Sequence, residues 1–134
     1  MNRYAQLVII TAVLIFSCAS GPAAIPPDLS PAEIIQRAQE ASDKNRYNVA
    51  QQYYEALLER NPDSIDLVCT AEYEIAFIHY KQKKYSQAKE DFHALLERYE
   101  ASDDDRLPPQ FKLLALKVLG QIEEKENIGK KKSK

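Results

Sequence analysis

From residue 31 onward, apolar residues recur at intervals of three and four. That is the spacing of one helix face, not the alternation of a half-buried strand. Tyr47, Ala50, Tyr54 and Leu57 make one such set, and Tyr85, Ala88, Phe92 and Leu95 make another 38 residues further on. The stretches around them, ending in Ala-Leu-Leu-Glu-Arg at Arg60 and again at Arg98, are an internal repeat. A repeated unit of this kind cannot bury its apolar face alone and stacks on a copy of itself. Between the two sets, Ala71 to Tyr80 is a further helical run, closed by the charged turn Lys81-Gln-Lys-Lys84. A helix, a short polar turn and a second helix opening Tyr-x-x-Ala predict an antiparallel helical hairpin.

The first helix has its own start signal. Ser30-Pro31-Ala32-Glu33 supplies a serine N-cap, a proline at the first helical position, where no N–H is needed, and a glutamate placed to complete a capping box. The folded domain is expected to begin there.

At these residues the chain resembles the tetratricopeptide repeat family, whose unit is a helical hairpin of 34 residues. In that family a large-then-small pair marks the first helix, and alanine, aromatic and proline landmarks mark the second. Ile75-Ala76 resembles the pair of one unit, with Tyr85, Ala88, Phe92 and Leu95 as its second helix. Arg37-Ala38 corresponds in the preceding unit, followed by Tyr47, Ala50, Tyr54, Leu57 and Pro62, and Leu119-Gly120 corresponds in a third first-helix. Arg37 stands where an apolar residue is usual, no proline follows Arg98, and the pairs are 38 and 44 residues apart, so surplus chain is expected in the connections at 62–68 and 101–109. The resemblance implies an all-α fold over residues 31–126, with antiparallel hairpins stacked as about two repeats plus a C-terminal capping helix. A generic helical bundle is the alternative.

The N-terminus follows a different pattern. Leu7 to Phe16 is an unbroken run of ten mostly apolar residues after Arg3. As a helix it would reach about 15 Å, half of the ~30 Å hydrocarbon core, so residues 1–17 read as the hydrophobic part of a secretion signal. Ile15-Phe16-Ser17-Cys18 resembles the lipobox of bacterial lipoproteins, which implies Cys18 as the site of lipid attachment, a residue that palmitate would label. An ordinary signal peptide cut after Ala19 or Ser20, with Cys18 discarded, is the alternative. The segment 18–30, rich in proline and small residues, is expected to be an extended tether. At the other end, residues 127–134 close on four lysines and read as a disordered basic tail able to touch anionic lipid.

Composition narrows the function. Eighteen Lys and Arg against 20 Asp and Glu leave no overall basic field to draw the chain to nucleic acid. Of two cysteines, Cys18 is assigned to lipid, so Cys69 has no disulfide partner and reads as a small apolar helix residue. His79 and His93 lie in different helices without a neighbouring ligand at metal spacing, and Asp103-Asp104-Asp105 lacks the glycine and alternation of a calcium loop. Three glycines cannot build a phosphate cradle, and no nucleophile or zinc-protease motif is present. No cofactor, metal or catalytic role is expected.

Residues 65–82 hold the candidate site. Val68, Ala71, Ile75 and Ile78 form one apolar stripe, and Thr70, Tyr73, Phe77 and Tyr80 a second, rotated from the first. By resemblance the second stripe lines the concave groove, with Lys117 and Gln121 beside it on the last helix and Ile35 and Gln39 on the first. Ile75, Ile78, Ala88, Phe92 and Leu95 are expected to complete the hairpin core without it. Aromatics in a groove are partner anchors; the alternative is that flanking helices cover them. These expectations combine into a lipid-anchored, periplasm-facing adaptor of the bacterial envelope, holding another protein in assembly or transport. The resemblance to lipoproteins, in which an aspartate after the cysteine commonly retains the protein at the inner membrane, implies the outer membrane for a chain with Ala19 there. An accessory subunit binding an apolar small molecule or a transport component between its helices is the other reading.

Overall fold

The computed structural model describes residues 24–101 and 105–132. The signal, Cys18 and the first part of the tether lie outside the described residues. Five helices follow one another: α1 (Pro31–Asp43), α2 (Tyr47–Arg60), α3 (Ile65–Lys81), α4 (Tyr85–Glu100) and α5 (Pro109–Lys132). Each packs on the next, and α5 also reaches back to α3. The architecture is all-α, with hairpins α1–α2 and α3–α4 stacked as two repeats and closed by α5.

Local chemistry sets the element ends. The Ser30 Oγ accepts from the Glu33 amide while the Ser30 amide donates to Glu33 Oε2 at 2.9 Å, so the capping box forms and draws the Glu33 carboxyl below its usual range. The two hairpin turns are built alike. Asn45 (φ 56°) and Lys83 (φ 61°) take the left-handed conformation, and the next amides, Arg46 and Lys84, donate to the carbonyls of Ala41 and His79 at 2.8 and 2.9 Å. The 38-residue repeat thus extends to the backbone of its turns.

The core divides into two clusters that share α3. Ile34, Ala38 and Ala41 of α1 meet Ala50, Tyr54 and Leu57 of α2 together with Ala71 and Ile78 of α3. Cys69, Tyr73 and Ala76, on the other side of α3, meet Ala88, Phe92 and Leu95 of α4 and Ala115, Val118, Leu119 and Ile122 of α5. Ala38, Ala50, Ala76 and Ala88 are all fully buried, because at these points the helix backbones come close and only a methyl group fits between them.

Three sequence expectations change. Residues 24–30 do not stand free of the domain: the Arg60 guanidinium donates to the carbonyls of Pro26 (2.9 Å) and Ile25 (3.2 Å), and Leu29 packs on the first cluster. The connection expected at 62–68 is confined to the residues before Ile65, where α3 begins in agreement with the helix read at about 65–82. Helix α5 continues past Asn127 to Lys132, where a disordered tail is expected. Lys89 holds this extension by contacting both carboxylate oxygens of Glu126 at 2.8 and 3.0 Å.

Candidate functional site

Both faces of α3 are apolar because it is the inner helix of the stack. Of its first stripe, Ala71, Ile75 and Ile78 face the α1–α2 hairpin, where Ala71 and Ile78 are buried and Ile75 is partly so, and Val68 is buried as well. The second stripe starts the other cluster. Tyr73 is 7% exposed, with ring centroids 5.7 Å from Phe92 of α4 and 5.4 Å from Phe111 of α5. The expected hairpin core of Ile75, Ile78, Ala88, Phe92 and Leu95 is therefore split. Ile75 and Ile78 serve one cluster, Ala88, Phe92 and Leu95 the other, and Tyr73 belongs with the latter.

Beyond Tyr73 the aromatics continue as a ladder along α3. Phe77 stacks on Tyr73 at 5.9 Å with an interplanar angle of 12°, Tyr80 follows Phe77 at 5.7 Å, and Tyr85 of α4 follows Tyr80 at 6.0 Å. Phe77 and Tyr80 are only half-buried. The Tyr80 hydroxyl donates to Gln121 Oε1 of α5 at 3.1 Å. Lys117, one turn earlier on α5, is exposed. Thr70, at the other end of the stripe, is partly exposed and turns its hydroxyl back to the Asp66 carbonyl at 2.8 Å. The fold thus brings Tyr73, Phe77, Tyr80 and Gln121 together, covers Tyr73 from within and leaves an aromatic edge at Phe77 and Tyr80.

Phe111, not singled out in the sequence, supplies that cover. Its signal was its position at the start of the last helix, three residues after Pro108. The preceding connection is fastened where Tyr99 Oη donates to the Pro108 carbonyl at 2.7 Å and Leu107 is buried in the second cluster. Burial also raises the Tyr73 phenol to a pKa of about 12, so it stays neutral and its ring acts as an apolar wall.

Charged pairs link the helices of the second hairpin. Arg98 of α4 grips Glu72 of α3 with two guanidinium nitrogens, Nε lying 3.1 Å from Oε2, and the pair holds the Arg98 pKa above its usual range. His79 Nδ1 faces Asp91 Oδ2 of α4 at 2.5 Å, which assigns this histidine to the hairpin interface. Cys69 is fully buried, and burial pushes its thiol up, although a hydrogen bond with Tyr99 opposes this. Among the described residues no group of three or more His, Cys, Asp and Glu is placed to hold a metal ion, and no helix is long and apolar enough to cross a membrane.

Hollows lie on other parts of the surface as well, and one of them reaches Tyr85 at the end of the ladder. Two, of about 370 and 460 Å³, lie at the hairpin turns and are lined largely by polar residues such as Asn45, Arg46, Lys83 and Lys84. A more apolar one, against Ile75, Ala94 and Leu95, holds about 160 Å³, below the roughly 300–1,000 Å³ that small-molecule sites occupy.

Comparison with known proteins agrees with this geometry. The chain is 34% identical over 116 residues to a protein of Treponema pallidum (strain Nichols) described as uncharacterized. That similarity takes in 85% of this chain and 46% of the relative, so the chain spans less than half of the relative's length. No solved structure matches. Residues 70–102, which take in α3 from Thr70 onward, its turn and α4, match the family model of the tetratricopeptide repeat. The α3–α4 hairpin is thus similar to a tetratricopeptide repeat unit in sequence as well as in geometry.

Proposed function

We propose that the protein is a membrane-anchored adaptor of the bacterial envelope, which holds a partner protein against the aromatic edge of α3. Tetratricopeptide repeats are protein–protein interaction modules, typically without catalysis of their own. The observation that carries the finer reading is the incomplete cover of the aromatic ladder: Tyr73 is buried, while Phe77 and Tyr80, packed against the same cluster, stay partly exposed, Tyr80 bonded to Gln121. Large rings held rigid by stacking on a buried neighbour lose little rotamer freedom when a partner covers them. Lys117 and Thr70 border the edge and would set polarity at its rim. Anchoring rests on the sequence alone, through the short apolar run ending in Cys18. The small size of the apolar hollow favours a protein partner over an apolar small molecule.

The test is in cells. A photo-cross-linking residue at Phe77 or Tyr80 should trap a second polypeptide in the envelope fraction, and one at exposed Ser86 should not. Palmitate should label the wild type but not Cys18→Ser, which should also lose membrane association. Equal cross-linking from both faces would refute the groove, and equal labelling of the cysteine variant would refute the lipid anchor.

A further inference from the structure

The last helix carries a face that its predecessors keep covered. Ala38, Ala76 and Gly120 hold the same place in α1, α3 and α5, as the small member of each large-small pair. In α1 the positions Ile34, Ala38 and Ala41 are buried in the cluster shared with α2. In α3 the corresponding positions all engage α4: Ala76 is buried with Ala88 and Phe92, Glu72 pairs with Arg98, and His79 pairs with Asp91. Moved 44 residues along, those positions become Leu116, Gly120 and Glu123, and Cys69 becomes Leu113. Here, among the described residues, nothing covers them. Leu113 is 70% exposed and Leu116 50%, and a Cβ built on Gly120 would meet no atom within 4 Å. Meanwhile Ala115, Val118, Leu119 and Ile122 are buried on the opposite side. Helix α5 packs inward as α3 does but lacks the second helix of its hairpin among the described residues.

We infer that this face of α5 binds α5 of a second copy of the chain, antiparallel and crossing at Gly120, to form a two-fold dimer. The charges on the face select this occupant. Lys112 and Lys117 lie before Gly120, Glu123 and Glu124 after it, and all four are exposed. An antiparallel crossing at Gly120 sets Lys117 beside Glu124 of the second copy, since both lie on the same flank of the face and at nearly the same distance from the crossing, and the contact repeats by symmetry. Leu113 then lies over the turn containing Ile128 of the second copy, a residue 50% exposed in the single chain. Two glycines at the crossing let the helix backbones approach closely, as a side chain there would not. A parallel crossing would set lysine against lysine. The contact also continues an existing mode of packing, since α4 lies on the same positions of α3 and runs antiparallel to it. Lys117 borders both this surface and the aromatic edge, so Gly120→Gln, which alters only the former, distinguishes failure of the dimer from failure of the partner-binding reading.

Sedimentation equilibrium of the full chain in density-matched detergent, from micromolar to near-millimolar concentration, tests the dimer. The wild type should show reversible dimerisation. Gly120→Gln should sediment as a monomer with unchanged helicity, because the single chain has room for the side chain. Lys117→Glu should weaken the dimer about tenfold, through two like-charge contacts per dimer, and Glu124→Lys in the same chain should restore it. A wild type that stays monomeric overturns the proposal, as does a dimer indifferent to Gly120→Gln or to the charge reversal. Cross-linking from Leu116 to a different polypeptide, with no homodimer, would replace the second copy by a foreign helix and also overturn it.

Discussion

The Tyr80 hydroxyl donates a 3.1 Å hydrogen bond to Gln121, 41 residues away, and so ties α3 to α5 at the edge of the aromatic ladder. The bond leaves the ring of Tyr80 half-buried and fixes its tilt beside Phe77. Rigid, partly open rings are suited to binding, whereas Tyr73, one step inward, has become structure.

That division is testable by truncation. Tyr73→Ala removes a buried ring packed on Phe92 and Phe111 and should cost about 3–5 kcal/mol of folding stability. Phe77→Ala should cost only about 1–2 kcal/mol, in proportion to its partial burial, while weakening partner capture by about 2 kcal/mol. Urea denaturation and capture of the cross-linked partner measure the two effects separately. Equal stability losses would mean that Phe77 is core, not edge.

Packing at the hairpin interface gives a second contrast. Ala88 is fully buried and Ser86 is exposed two residues away. Ala88→Leu should destabilise by about 1–3 kcal/mol through overpacking. Ser86→Leu should change the urea midpoint little. Equivalent shifts would show that the faces of α4 are misassigned.

Glu74 predicts a pH dependence. Burial raises its pKa above the ordinary 4.5, and Lys81 only partly opposes this. A carboxyl with a raised folded-state pKa binds its proton more tightly in the folded chain. Its penalty is absent below about 4.5, grows as pH rises through the folded-state pKa and is complete above it. Glu74→Gln should therefore stabilise the protein at pH near 7, with the advantage fading on acidification toward pH near 4.5. Urea midpoints of both chains across that range check it, and a pH-independent difference would exclude the desolvation account.

The two hairpin turns predict a stabilising change. Lys83 adopts φ 61°, the left-handed conformation that Asn45 holds in the equivalent turn. Asparagine tolerates that conformation better than lysine, so Lys83→Asn should raise stability by up to about 1 kcal/mol. The same exchange at exposed Lys112, within helix α5, should not stabilise, because asparagine is the poorer helix former. Thermal unfolding of the two variants distinguishes a turn effect from a charge effect.

Helix positions and their pairing into hairpins were legible in the sequence, because they depend on local chemistry. The three-and-four spacing of Tyr47, Ala50, Tyr54 and Leu57 reports how apolar side chains are distributed around one axis. The repeat of that pattern at Tyr85 showed that two such axes pack in the same way. Buried alanines at 38, 50, 76 and 88 follow from the same register. Ser30 and Glu33 announced the start of α1, since a capping box is made within one turn.

What covers each face was decided only by the tertiary structure. Periodicity showed that α3 is apolar on two sides, but not that Phe111 would arrive over Tyr73, because that depends on the path of the chain through Leu107 and Pro108. The clasp of Arg60 on Ile25 and Pro26 and the pair Arg98–Glu72 join residues far apart in sequence, with no local pattern to reveal them. The open face at Leu113, Leu116 and Gly120 has the same origin. Its residues resemble the covered positions of α1 and α3, and only the absence of a following helix among the described residues leaves it bare. A hydrophobic pattern states that a face is to be covered; the three-dimensional course of the chain determines by what.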